Sequence, residues 1–332
     1  MIALWDTTGN EVVKALSAER RNAGGVASGL ALTLVAVVDE KRVREAETAA
    51  ATAAAAHPCR LLIVVRGTAR PGHTESRLDA EIVVGGRLGP CEAVVMRMHG
   101  RLTYHAESVV IPLLAPDVPV VTWWHDVPPD RIATDPLGVV AERRITDSAQ
   151  GPDPIAALHQ RAEDYAPGDT DLAWTRTTSW RSLVAGAMDT APAPVAGATV
   201  SADPADPSGA LLRGWLQARL GITPVAEAGG NAIQAVTLRL AGGDEISIQR
   251  TDGVATLSRT GLPDRMLPLP RRQLGDQLAE ELRHLDRDQA FAEALESATG
   301  TEGLERRPPA RVHIWHDPAA GAAPGVSQGL FQ

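Results

Sequence analysis

Lysine is nearly missing from this chain: Lys14 and Lys41 are the only two among 32 basic residues. A Schiff-base or phosphate-loop lysine would have to be one of them, and both fall in stretches that read as exposed helix. Cysteine is equally scarce, since Cys59 and Cys91 are too few for a disulfide framework or a multi-cysteine zinc site. That usage fits a reducing cytoplasm. No run of eighteen apolar residues occurs, and the nearest, Ser108 to Trp124, is broken by Pro112, Pro116, Asp117 and Pro119. It reads as soluble core rather than as a membrane span. Met1 to Asn10 lacks the basic-then-apolar order of a secretory signal. Positive charge is also short, because a net charge of −9 offers no general attraction to nucleic acid or anionic lipid. Neither nucleic acid nor a membrane is an expected partner.

The usual catalytic signatures are missing too. There is no G-x-x-x-x-G-K-[ST] loop, no G-x-G-x-x-G between a strand and a helix, no H-E-x-x-H, no C-x-x-C and no G-x-S-x-G. His125 and Asp126 are adjacent on an extended stretch, so their side chains diverge and make no dyad with each other. His313 and His316 sit three apart in a tail rich in Gly, Pro and Ala, with ordinary exposed histidine the commoner outcome. No cofactor is expected.

What is present is an ordinary globular composition, 44% hydrophobic and 22% charged over 332 residues, long enough for two domains and a tail. Leu30 to Val38 is a compact apolar run of strand length, Asp39 to Ala56 an alanine-rich helix, and Arg60 to Val65 a second buried strand. Strand, helix and strand imply a parallel pair with a right-handed crossover. Leu78 to Val84 and Glu92 to Met98 add strands, with turns at Gly85-Gly86 and Gly89-Pro90. A helix from His105 to Leu114 and a strand from Val118 to Trp124 complete the sheet. An earlier helix, capped by Thr7 or Thr8, should end at Gly24-Gly25, and from Asp135 to Thr190 the pattern is mainly helical.

The predicted fold is α/β: an N-terminal mixed, partly parallel sheet with flanking helices over residues 1–190, then a smaller α+β domain over 208–299. Four prolines among small residues mark 191–207 as a linker. Ser208 caps a helix to Leu220, three short strands (Ala232 to Leu240, Glu245 to Arg250, Val254 to Arg259) make an antiparallel meander, and helices at Arg271 to Leu285 and Asp288 to Ser297 follow. Residues 300–332 read as a flexible tail, with Arg311 to Trp315 a docked terminus or short motif.

Candidate contact residues come from one helix. Asp169 or Thr170 can cap it, and Leu172, Ala173, Trp180, Leu183, Val184 and Ala187 then share its core face. Trp174 lies off that face, in a stripe with Thr178, Arg181, Ala185 and Met188. A tryptophan and an arginine pointing away from a helix's own core are the types that dominate binding hot spots, although burial between layers explains the pattern equally well. Arg176 projects to the apolar side and needs a carboxylate or a route to solvent. Trp123 and Trp124 end a strand where open α/β sheets place their crevice, and alternation should turn one ring inward and the other outward. Cys59 and Cys91 each open a strand, so neighbouring strands would bring the thiols together; inert burial is the commoner result.

Several blocks carry a resemblance: Ser108-Val-Val-Ile-Pro-Leu-Leu-Ala-Pro-Asp-Val-Pro-Val-Val-Thr-Trp-Trp124, Asp135-Pro-Leu-Gly138 with Arg143-Arg-Ile-Thr-Asp147, and Tyr165 to Arg181, joined by His57-Pro-Cys-Arg60 and Leu267-Pro-Leu-Pro-Arg-Arg-Gln273. In these the chain resembles the OpcA family of glucose-6-phosphate dehydrogenase assembly proteins. The resemblance implies a protein without a reaction of its own that binds glucose-6-phosphate dehydrogenase, favours its active oligomer and supports NADPH supply through the oxidative pentose phosphate pathway. Contacts are then expected from Trp174, Arg181 and Thr178, with Trp123, Trp124, Arg143 and Arg144 nearby. Some members are tied to thiol redox state, for which only Cys59 and Cys91 are present here. The competing expectation is an α/β enzyme or sensor binding a small molecule in the crevice near Trp124 and His125.

Overall fold

A computed structural model describes residues 2–22, 29–66, 76–85 and 91–308. The features expected at Gly24-Gly25, Gly86, Gly89-Pro90, Arg311 to Trp315, His313 and His316 lie outside the described residues.

The first half of the chain runs β1 (Ile2–Leu4), α1 (Gly9–Asn22), β2 (Leu32–Val38), α2 (Val43–Ala56), β3 (Cys59–Arg66), β4 (Arg77–Val84), β5 (Glu92–His99), α3 (Ala106–Val110), β6 (Val120–Trp124), α4 (Pro136–Val139), β7 (Arg143–Thr146), α5 (Pro154–Asp164) and β8 (Asp169–Asp171). Its eight strands form one sheet in the order β1-β4-β5-β3-β2-β6-β7-β8. From β5 to β8 every pair is parallel, while β4 and β1 close the far side antiparallel. The chain moves from β2 to β3 and β5 on one side and returns to β6 on the other, so strand order reverses at β2. Every residue of β2 is buried, because helices cover both faces of the sheet. Leu34, Ala36, Ile63 and Trp123 face α2, while Val35, Val37, Leu62 and Trp124 face α1, α3 and α4.

The second half runs α6 (Leu172–Thr175), α7 (Thr178–Met188), β9 (Val195–Ala202), α8 (Pro207–Leu220), β10 (Val225–Ala228), β11 (Ala235–Leu240), β12 (Glu245–Thr251), β13 (Val254–Arg259), β14 (Leu262–Pro268), α9 (Leu274–Glu281) and α10 (Gln289–Thr299). Six strands form a second sheet in the order β10-β9-β11-β12-β13-β14. The expected meander is its centre, and a parallel β9-α8-β10 unit extends it. Its core joins Trp180 and Val184 of α7 to Val200, Leu216, Val236 and Ile248.

Several expectations need correction. The stretch 191–207 contains β9, whose alternating burial from Ala198 to Ala202 supplies core side chains to the second sheet. Residues 143–146 and 169–171, expected in a helical region, are sheet strands. The single helix expected from Asp171 onward is two: Thr177 Oγ1 donates to the Trp174 carbonyl at 2.7 Å, and the axis restarts at Thr178. Asp171, rather than Asp169 or Thr170, caps the first piece, and Asp206, rather than Ser208, caps α8. The tail's first residues are docked, since Leu304 is fully buried and Arg307 Nη1 donates to the carbonyls of Ala162, Glu163 and Tyr165 at 2.8–3.0 Å.

One helix crosses between the halves. Leu274, Leu278 and Leu282 of α9 and its C-terminal end pack on the alanine face of α2, beneath the first sheet. The approach is close enough that a Cβ on Gly275 would meet Thr52 Cβ at 2.6 Å, so glycine is required there.

Candidate partner-binding region

Trp174 sits where α5, α6, α8 and α10 meet, 1% exposed, with Phe291 at a ring distance of 5.9 Å. Burying such a ring is worth roughly 4–6 kcal/mol at about 25 cal/mol per Å² over 150–250 Å². Its Nε1 donates to Asp288 Oδ2 at 2.7 Å, and Asp288 Oδ1 accepts from Phe291 N as the cap of α10. The outer face of the ring is covered by Arg181, whose Cζ lies 3.6 Å from the ring centroid. Arg181 is half-buried and is steered by two neutral oxygens, Nε donating to Thr177 Oγ1 at 2.9 Å and Nη2 to Thr178 Oγ1 at 3.1 Å. No carboxylate forms an ion pair with it among the described residues. Burial pushes its pKa down, against the attraction of Asp288, Glu280 and Glu281.

Beneath this platform lies a layer of neutralised charge. Arg143 Nη2 meets Glu281 Oε2 at 2.5 Å and its Nη1 donates to the Asp286 carbonyl at 2.9 Å, while Glu281 Oε1 accepts from Thr175 Oγ1 at 2.7 Å. Glu281 thereby ties β7, α6 and α9 together. Arg144 is bound by Asp169 and by the carbonyls of Ala141 and Pro167. Arg176 finds the carboxylate it needs in Asp147, at 2.8 Å through Nη1. Asp171, fully enclosed, accepts from Thr146, Ser148 and Ala173; burial raises its pKa, and Asp147 adds to the effect.

The structure therefore separates the candidate residues. Trp123, Trp124, Arg143, Arg144 and Trp174 are each 2% exposed or less and present no surface to another protein in this conformation. Both Trp123 and Trp124 face inward because each side of the sheet is covered, and their Nε1 atoms have no hydrogen-bond partner among the described residues. Arg181 and Thr178 alone of the set are partly exposed. Sequence reasoning missed Glu281, Asp288 and Asp147, the carboxylates that hold the arginines and Trp174. No local spacing links partners that lie 29 to 138 residues apart.

The crevice near Trp124 is filled by side chains. His125 is buried, its ring 4.8 Å from that of Trp123, with Glu45 Oε2 3.3 Å from Nε2 and Arg42 between Glu45 and Asp126. Asp39 caps the turn after β2 and Glu40 follows it, which disfavours an anion at that end. Cys59 and Cys91 are free and buried at neighbouring positions on β3 and just before β5. A hydrogen bond with Cys91, and then burial, pushes the Cys59 thiol well up.

Two sequence profiles match consecutive stretches. Residues 50–163 match the glucose-6-phosphate dehydrogenase subunit N-terminal domain, and residues 167–295 match its C-terminal domain. No curated protein matches the chain. Among solved structures, KijD10, a 3-ketoreductase from Actinomadura kijaniata in complex with NADP, aligns over 86% of this chain and all of its own at 11% identity and a TM-score of 0.44, too distant to carry an argument. The profiles define the class, that of two-domain subunits associated with glucose-6-phosphate dehydrogenase. Within it, the chain belongs to the OpcA family of assembly proteins, as its motif blocks suggested.

Proposed function

We propose that this chain is a non-catalytic, cytoplasmic assembly factor that binds glucose-6-phosphate dehydrogenase, favours its active oligomer and raises its activity, sustaining NADPH production by the oxidative pentose phosphate pathway. Family membership supports the partner. The observation that supports the contact site is the Arg181 guanidinium, stacked 3.6 Å from the Trp174 centroid and in direct ion pair with no carboxylate among the described residues. A cation held rigid by an aromatic floor and two hydroxyls loses little entropy on binding and meets an acidic group on a partner without first breaking an ion pair. Thr178 lies at its edge, and the buried tryptophans and arginines act as scaffold.

Activation of this kind requires tighter binding to the active form of the dehydrogenase than to the inactive one, since equal affinity shifts no population. We read the chain as two cooperating units, broadly the two sheets, with α9 shared between them. The test measures dehydrogenase rate and oligomer mass as this protein is titrated in. Arg181→Ala should weaken the half-activating concentration roughly thirtyfold, a hot-spot loss of about 2 kcal/mol. Wild-type potency from a folded Arg181→Ala protein would overturn the contact site, and a dehydrogenase indifferent to the wild-type chain would overturn the function.

A further inference from the structure

A cavity of about 280 Å³ is lined mainly by the second half of the chain, with Ala149 of the first half on its wall and Trp124 and His125 outside it. Its wall takes Arg176 just before α7, Ser208 from the first turn of α8, Asn231 from the loop before β11, Arg250 from β12, and Arg271 and Arg272 from the segment entering α9. Four guanidinium groups line it, and among the described residues no carboxylate does.

Two of the four are neutralised by groups behind the wall: Arg176 by Asp147 and Arg272 by Glu280. The other two have only neutral partners. Arg250 Nη2 donates to the Ile233 carbonyl at 2.7 Å, with its Cζ 5.5 Å from the Trp180 ring centroid, and Arg271 Nη2 donates to Asn231 Oδ1 at 2.9 Å. Neither forms an ion pair among the described residues. They also oppose each other, since burial first and the Arg271 charge second push Arg250 below the usual guanidinium range, with Asp206 acting the other way. Two like charges thus share the wall of one recess, Arg250 partly buried and Arg271 exposed, and an entering anion would relieve their mutual repulsion.

We infer that this cavity binds a compact phosphomonoester of phosphosugar size, its dianionic phosphate between Arg250 and Arg271. A dianion neutralises both cations at once, and the guanidinium forks with the Ser208 hydroxyl supply donors for three terminal oxygens. The volume sits at the lower limit of small-ligand sites, which favours a single sugar ring and excludes a dinucleotide. The site belongs to this chain alone and does not depend on the assembly role, so its test uses no dehydrogenase.

Isothermal titration of the full chain with glucose 6-phosphate, inorganic phosphate and glucose provides that test. Glucose 6-phosphate should bind once per chain, inorganic phosphate more weakly, and glucose not at all. Arg271→Glu, at an exposed position whose one hydrogen-bond partner among the described residues is Asn231, should weaken glucose 6-phosphate binding at least about tenfold. Arg250→Gln should do the same, and Arg181→Ala should leave binding unchanged. Absence of saturable binding by glucose 6-phosphate up to about 10 mM, well beyond the weakest useful affinity, would overturn the inference. So would affinity unaltered by Arg271→Glu, or saturable binding of inorganic phosphate alone.

Discussion

Removing Glu281 tests whether the charged layer under Trp174 holds the two halves of the chain together. Arg143 and Glu281 are 3% and 6% exposed in their side chains, and Glu281 also accepts from Thr175. Glu281→Ala leaves the Arg143 guanidinium with the Asp286 carbonyl and no counterion, and strands the Thr175 hydroxyl. Stripping one partner from a buried pair costs about 3–5 kcal/mol, against total stabilities of about 5–15 kcal/mol. We expect a loss of about 4 kcal/mol in urea unfolding followed by tryptophan fluorescence. Replacing both partners, Arg143→Met with Glu281→Leu, removes the stranded charge and should recover most of that loss. A loss below about 1 kcal/mol in Glu281→Ala, or a double variant no more stable than the single one, would refute the reasoning.

Two glycines should respond in opposite directions. At Gly168, φ is +97° and a Cβ would lie 2.3 Å from the Glu142 carbonyl oxygen, so Gly168→Ala should destabilise by about 3 kcal/mol. Gly186 lies in α7 with nothing within 4 Å of a Cβ, so Gly186→Ala should stabilise by about 0.5–1 kcal/mol, both measured as urea midpoints. Burial, opposed by Glu45, holds His125 below its ordinary 6.5. The unfolded chain then binds that proton at the higher pH, so this contribution to stability is present above 6.5 and lost as pH falls through the lowered folded value. The wild type should lose more stability than His125→Gln on acidification from about pH 7.5 to about pH 5, and equal slopes would count against it. Cys59 and Cys91, free but buried, should resist alkylation by iodoacetamide until denaturant is added; rapid labelling of the native protein would contradict their enclosure.

The centre of the first sheet was legible because β2 and β3 are apolar on both faces. Leu32 to Val38 and Cys59 to Val65 announce themselves as buried runs, and the alanine-rich α2 between them fixes the parallel pairing. β7 was not, since Arg143-Arg144 reads as surface until its carboxylates at Glu281 and Asp169 are known. β9 was hidden by small residues between prolines, whose alternation matters only once the second sheet exists to receive it. Trp174 keeps Arg181 as its neighbour across the break at Arg176-Thr177, and its ring is buried between layers, the alternative the stripe left open. Thr177 and Thr178, four and three residues before Arg181, accept from its guanidinium and hold it over that ring.

The lodging of α9 under the first sheet makes separate production of the two sequence halves a poor strategy. A fragment ending before residue 190 would strip Leu274, Leu278 and Leu282 from the alanine-rich α2 and leave the His57 ring without the Ala279 carbonyl 3.0 Å away. Such a fragment is expected to aggregate through that greasy stripe, whereas adding a peptide spanning 270–285 in trans should restore its solubility.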